Sequence, residues 1–220
     1  MQGVQVRRVR RVRVALVTLM AIALTGIVRG QDPDYVKKIA DFARSRNETA
    51  RTVRVNYERG SIVMTHFDDD LERNSVFLVT TTGRNVVLNL GPTIATWHWL
   101  TIDETLAQRP ADSVACLGEI RNAPAPVANE IGVLATGGTL LVDGISVTII
   151  DESWTWAPQR GQQFVLIAHR CPGGFASLTY GRYSLIPVNS DGALVLRTEH
   201  AADASSIRTV QDLRRALQNN

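Results

Sequence analysis

Hydrophobic and polar positions follow two different periods along this chain, and the change falls near residue 50. In "DPDYVKKIADFARSR" the apolar residues recur at helical spacing, which predicts an amphipathic helix over about residues 33–46. From residue 52 onward, short runs rich in Val, Thr, Ile and Leu are separated by Gly, Asn and Pro, as in "SVFLVTTT" and "ISVTIID". Many short strands at regular spacing are typical of an antiparallel barrel or sandwich.

Two further helices are predicted among and after the strands. "DDLER" predicts a short helix at 68–73 capped by Asp68. The run Asp68-Asp69-Asp70 lacks the alternating ligands and the glycine of a calcium loop, so we interpret it as capping or a solvated face. "SSIRTVQDLRRALQ" predicts a closing amphipathic helix behind a serine cap, with one apolar face formed by Ile207, Val210, Leu213 and Leu217.

The N-terminus reads as a secretory signal peptide. An arginine-rich stretch precedes the apolar run "VALVTLMAIALTGIV", which is shorter than the roughly 18 residues typical of a spanning helix. A retained membrane anchor is the alternative, and it would be the chain's only membrane contact. The predicted organisation is a signal peptide at 1–30, a helix within 31–51, a barrel domain at 52–200 and a C-terminal helix within 201–220. We expect export to the periplasm or beyond the cell.

The export signal dominates the charge of the whole chain. Residues 1–30 hold six of the 24 basic residues and none of the 21 acidic ones, so the rest carries a net charge of about −3. The remaining arginines are scattered and form no basic stripe with aromatic residues. Composition therefore argues against a nucleic-acid partner.

The two cysteines, Cys116 and Cys171, are candidates for a disulfide, because an exported chain meets an oxidising compartment. Two separate thiols are the alternative. A catalytic cysteine would need a partner that stabilises its thiolate, and only His169 lies near Cys171 in sequence.

Several segments, taken in order, resemble a group of small secreted bacterial β-barrel proteins of the OB-like, netrin-module type. The resemblance covers about residues 67–196 and implies architecture, with no catalytic residues to carry over. Phe164 stands where the group has Tyr, the loop 106–130 is longer than usual, and no Lys-Gly follows "DETL". The segments that carry it are "FDDDLERNSVFLVTTTGR", "IATWHWLTIDETL", "LATGGTLLVDGISVTI", "RGQQFVLIAHR" and "YGRYSLIPVNSDGALV".

Tryptophan is confined to two pairs with i, i+2 spacing, Trp97 with Trp99 and Trp154 with Trp156. In a strand each pair shares one face, with His98 on the opposite, interior side. If both strands present their pairs to one surface, four indoles form an apolar platform suited to sugar rings or aromatic peptide side chains. The alternative is that the pairs pack beneath a terminal helix, whose apolar stripe must be buried.

No motif for catalysis, metal or cofactor binding is present. The histidines are isolated, and there is no nucleophile elbow or phosphate-binding loop. "ATGGT" at 135–139 leads into a β-like run, so we interpret it as a turn. The neighbouring carboxylates Asp103-Glu104 and Asp151-Glu152 point to opposite faces of a strand, although carboxylates paired across the fold stay open.

We therefore expect a mainly β, OB-like or netrin-like antiparallel barrel that acts without catalysis or cofactor. Its function would be a binding or interaction module for an unknown protein or glycan partner, contacted through an aromatic surface. One alternative is an enzyme inhibitor, by analogy with netrin-like barrels, although the mature N-terminus is helical and lacks cysteine. The other is a hydrolase with its residues scattered on loops, which a cleft with converging His and carboxylates would reveal.

Overall fold

The computed structural model describes residues 33–55, 67–110, 125–151, 156, 158–171, 173–178, 184–196 and 206–218. Within these ranges there are three helices: α1 (Tyr35–Ser45), α2 (Phe67–Arg73) and α3 (Val210–Gln218). The described residues also form nine strands: β1 (Ala50–Val55), β2 (Ser75–Asn89), β3 (Ile94–Ala107), β4 (Glu130–Thr136), β5 (Gly138–Val142), β6 (Ile145–Asp151), β7 (Gln163–Cys171), β8 (Phe175–Ser177) and β9 (Leu185–Pro187).

Five of these strands close into a barrel. β2 pairs with β3, β3 with β4, β4 with β8, β8 with β7, and β7 again with β2, while β9 adds to the free side of β7. All of these pairs are antiparallel except β4 with β8, which is parallel. Alternate residues of the five strands point inward and fill the interior: Phe77, Val79, Leu100, Ile131, Val133, Phe164, Leu166, Ala168 and Ala176.

The remaining strands form a second sheet, in the order β1-β6-β5, with β1 and β6 parallel. The chain passes from barrel to sheet at Gly137 and Gly138, whose φ angles of 102° and 143° suit glycine. Helix α1 packs on this sheet through its apolar stripe of Val36, Ile39, Ala40 and Ala43, which meets Ile94, Ile145, Val147 and Ile149. The stripe is buried because a helix face of this kind needs an apolar partner.

Helices α2 and α3 cover the outer side of β2 and β7. In this part of β2 both faces are buried, because one faces the barrel interior and the other faces the helices. The helix side is a cluster that includes Leu71, Val76, Val165, Ile167 and Leu213. Arg214 of α3 also donates two hydrogen bonds to the Glu104 carboxylate of β3, at 3.1 and 2.6 Å.

The predicted fold class is confirmed: the protein is mainly β, with a closed five-stranded barrel and a helix near each end. Within the segment 52–200 that was predicted as the barrel domain, most of β1 and all of β5 and β6 build the second sheet rather than the barrel. The helix predicted at 68–73 is present, but the side chain of Asp68 lies outside the described residues.

The predicted serine cap of the last helix is wrong, because α3 begins after Thr209. The Thr209 hydroxyl accepts a hydrogen bond from the Asp212 N–H at 3.1 Å, and the Asp212 carboxylate accepts one from the Thr209 N–H at 3.0 Å. This reciprocal capping box satisfies two backbone donors. The Asp212 carboxylate also accepts hydrogen bonds from the Thr209 hydroxyl and the Arg208 N–H, and these bonds, with the Thr209 hydroxyl first, lower the pKa of Asp212.

None of the helices in the described ranges has the length and apolar character needed to cross a bilayer. The signal peptide predicted at 1–30 lies outside those ranges, so export stays a prediction.

Candidate functional site

Trp97 and Trp99 lie on the outer face of β3, opposite the interior residue Leu100. This side of β3 is called the indole face below. Its two rings meet edge to face, with centroids 6.3 Å apart, and the residues are only 1% and 2% exposed. The two tryptophans therefore share one face of β3, as predicted, and of the two readings that the sequence left open, exposure of these rings is not observed.

Trp97 packs against β4 and β8. Gly132 of β4 lies beneath its indole, and a Cβ at that position would collide with the ring. Phe175, which pairs with Gly132 in the parallel β4–β8 ladder, stands perpendicular to Trp97 with the ring centroids 4.9 Å apart. A large ring can be buried here only because the neighbouring strand carries glycine.

Trp99 is covered by a cation from β2. The guanidinium of Arg84 lies 4.5 Å from the centre of the Trp99 ring and forms an ion pair with the Glu130 carboxylate of β4. The Glu130 side chain is 8% exposed, and its Oε2 also accepts a hydrogen bond from the Val127 N–H at 3.0 Å. A guanidinium over an indole contributes roughly 0.5–2 kcal/mol, depending on how far the pair is desolvated.

A β-bulge aims Arg84 at Trp99. Between the pairs Thr81–Leu100 and Asn85–His98, β2 advances four residues while β3 advances two. Gly83 in this bulge has a φ of 75°, and the Thr82 hydroxyl donates to the Trp99 carbonyl at 2.8 Å. Bulges redirect side chains in this way next to functional sites.

The indole N–H groups on this face lack acceptors. Within the part of the chain that the structure describes, the Nε1 atoms of Trp97 and Trp99 are buried without a hydrogen-bond partner, and so is that of Trp156. Buried indole N–H groups usually find a partner, and an unpaired donor costs about 1–3 kcal/mol. Most buried polar groups in proteins do have a partner, which sets these indole N–H groups apart from the rest of the interior.

His98 points to the other side of the same strand, toward the barrel interior. Its ring centroid is 4.7 Å from that of Trp156, which in turn lies 6.0 Å from Phe164. Burial lowers the pKa of His98 from 6.5 to about 4, because the charged imidazolium loses its hydration there. His98 is therefore neutral at pH 7, in line with the predicted interior position.

The predicted platform of four tryptophans is not formed. Trp156 lies on the His98 side of β3, opposite the indole face, and Trp154 lies outside the described residues. The alternative, burial beneath a terminal helix, is also not what is seen, because the clusters beneath α1 and α3 contain neither Trp97 nor Trp99. The described partners of these rings are instead Phe175 and Arg84.

The other candidate residues do not converge. Asp103 accepts hydrogen bonds from Thr80 at 2.6 Å and from Gln163 at 3.2 Å. Its neighbour Glu104 binds Arg214, whose hydrogen bonds lower the pKa of that carboxyl. Across the described ranges, no group of three or more His, Cys, Asp or Glu residues is arranged to hold a metal ion.

The remaining candidates are only partly described. Asp151 is buried and accepts a hydrogen bond from the Thr136 hydroxyl at 2.5 Å, while Glu152 lies outside the described residues. Cys116 also lies outside them, so its pairing with Cys171 stays a prediction.

The sequence analysis did not identify Arg84 or Glu130 as site residues, although the sequence carries a signal for Arg84. A glycine inside a strand pattern, as in "TTTGRN", indicates a bulge that redirects the next side chain. Glu130 gives no such signal, because its role depends on β4 lying beside β3.

Neither a protein-family model, nor a curated protein, nor a solved structure matches this chain. The family resemblance drawn from the sequence therefore stays a prediction, and function has to be argued from the indole face and its surroundings.

Proposed function

We propose that this protein is an exported, non-catalytic binding module that contacts a peptide or glycan partner through the outer face of β3 and β4. The observation that carries the proposal is an outward face of β3 on which the Arg84 guanidinium lies over the Trp99 ring, next to two indole N–H groups that find no acceptor among the described residues. A partner that replaces Arg84 gains a flat aromatic surface. A carbonyl or hydroxyl oxygen on it would supply a missing acceptor if it reaches an indole N–H.

The chemistry of the face favours binding over catalysis. Its described groups are two indoles, one phenyl ring, one guanidinium and one carboxylate, the last two already paired. General acid–base catalysis needs a titratable group within hydrogen-bond reach of a reacting atom. Aromatic anchors with one charged pair are instead the composition of recognition surfaces. In this proposal Cys116 and Cys171 form a disulfide that stabilises the exported domain.

The test is a binding screen on variants that remove the Arg84 side chain, alone or together with the Trp99 indole. Arg84→Ala should increase acrylamide quenching of tryptophan fluorescence and strengthen binding to members of a peptide and glycan array. Arg84→Ala/Trp99→Phe should lose those ligands while keeping the circular dichroism spectrum. Arg170→Ala, which removes an exposed arginine from β7, is the matched control. If the array shows no ligand that depends on Trp99, the proposed function is wrong.

A further inference from the structure

Trp99 and Glu130 together have the composition of a receptor for an organic cation, and this pair is called the cation receptor below. The ring offers its π face and the carboxylate stands beside it, so that one guanidinium contacts both. Aromatic faces combined with carboxylates are how proteins recognise arginine and other organic cations. Here the cation is supplied by the chain itself, through Arg84.

The cation receptor is held more firmly by the fold than the Arg84 side chain that occupies it. Trp99 is only 2% exposed and belongs to a central strand of the barrel, and the Glu130 carboxylate accepts a hydrogen bond from the Val127 N–H independently of Arg84. The Arg84 side chain is 43% exposed and extends from a bulge, and its described polar partner is Glu130. The cation receptor would therefore keep its geometry when Arg84 leaves, because the departing group is the one at the surface.

The surface next to the cation receptor suits a polypeptide. Val127, whose N–H binds the Glu130 carboxylate, has an apolar side chain and is 57% exposed. Leading into β4, Val127 accepts a backbone hydrogen bond from Glu130 at 3.1 Å in a tight turn. An exposed aliphatic residue beside a charged aromatic pocket resembles the anchor and rim of a peptide site.

We propose that the cation receptor binds the arginine side chain of a peptide partner, and that Arg84 occupies it as a built-in competitor. This inference rests on the proposed function and names the chemistry of the partner. The partner's guanidinium would stack on Trp99 and pair with Glu130 while Arg84 turns into solvent. Arginine fits better than lysine because its planar group can stack and donate in the same plane.

The strength of the Arg84 contacts determines how much the affinity for a peptide should rise when Arg84 is removed. A ligand binds with its intrinsic affinity reduced by the fraction of molecules in which the receptor is free. Holding Arg84 in place involves one partly exposed cation–π contact and one partly exposed ion pair, so its removal should tighten binding by about tenfold. The partner peptide should show the same gain, whatever else it contacts.

The first arm of the test is chemical rescue with ethylguanidinium as the probe. In the full mature protein, Arg84→Ala should show a saturable change in tryptophan fluorescence and a rise in Tm as ethylguanidinium is added at millimolar concentrations. Arg84→Ala/Glu130→Gln should show neither change, and Arg170→Ala controls for the general effect of guanidinium ions on folding. Ethylammonium, which cannot stack, should have a weaker effect. A response in Arg84→Ala no larger than that in Arg170→Ala would overturn the proposal.

The second arm separates this inference from the proposed function. Array peptides that bind through Trp99 should lose most of their affinity when their arginine is replaced by citrulline, which keeps the shape but not the charge. If Trp99-dependent ligands are found but are uncharged sugars or bind equally well with citrulline, the inference fails while the proposed function stands. If ethylguanidinium rescues Arg84→Ala but no array ligand depends on Trp99, the receptor chemistry stands and the proposed function fails.

Discussion

Acidification should destabilise this protein through His98. Desolvation of the partly buried imidazole, whose ring contacts Trp156, lowers the native pKa to about 4, whereas the unfolded chain has the ordinary value of 6.5. Between these values the unfolded state binds a proton that the native state does not, so stability falls as pH falls. The contribution is fully present above pH 6.5 and is lost as pH drops toward 4. The difference between the two pKa values corresponds to about 3 kcal/mol.

The perturbation that isolates this effect is His98→Gln, which removes the titrating group but keeps a polar side chain of similar length. Urea unfolding of both proteins at half-unit steps from pH 7.5 to pH 4 gives two stability curves. Their difference should stay constant above pH 6.5 and then shrink by about 3 kcal/mol on the way to pH 4. His169→Gln shows how much removing a partly exposed histidine changes the profile. Parallel curves for wild type and His98→Gln would refute the reasoning, as would an NMR titration of His98 near pH 6.5.

Three further predictions concern packing, capping and covalent structure. Gly132→Ala should cost at least about 1–3 kcal/mol of unfolding free energy, because the added methyl collides with the Trp97 ring; a fall below 0.5 kcal/mol would contradict the described packing. Thr209→Ala should cost about 1 kcal/mol by removing the cap of α3, measured in the same urea assay. If Cys116 and Cys171 pair, iodoacetamide should modify neither under denaturing conditions without reductant and both after reduction, as mass spectrometry would show; alkylation before reduction would exclude the disulfide.

The elements that sequence predicted well are those whose signal is local. The stripes of α1 and α3 recur every three or four residues, so the buried positions Val36, Ile39, Val210 and Leu213 follow from periodicity alone. The same holds for the opposite orientation of Trp97 and His98, which needs only the alternation of a strand. A local pattern identifies which residues share a face, and the structure agrees.

Contacts between distant segments decide which face of a strand is buried, and these contacts could not be predicted from the sequence. Strand β5 has the same composition as a barrel strand, yet the corner at Gly137 sends it into a separate sheet. The second sheet also depends on the parallel pairing of β1 with β6, whose residues are almost a hundred positions apart in the chain. Such pairings depend on topology, and no window of sequence contains both partners.

The same limitation explains why the sequence predicted which residues share a face with Trp97 and Trp99 but left open whether these rings are exposed. An indole pair on an outward face is exposed unless other groups cover it. Here Phe175 of β8 packs against Trp97, and Arg84, which a two-residue bulge in β2 redirects, lies over Trp99. Arg84 and its partner Glu130 are 46 positions apart and belong to strands that flank β3 on opposite sides. Since both of these charged residues come from elements that pair directly with β3, the cover is part of the barrel wall itself. A ligand at Trp99 must therefore compete with a group that the fold has already placed there, which makes Arg84, and not the tryptophans, the first residue to change.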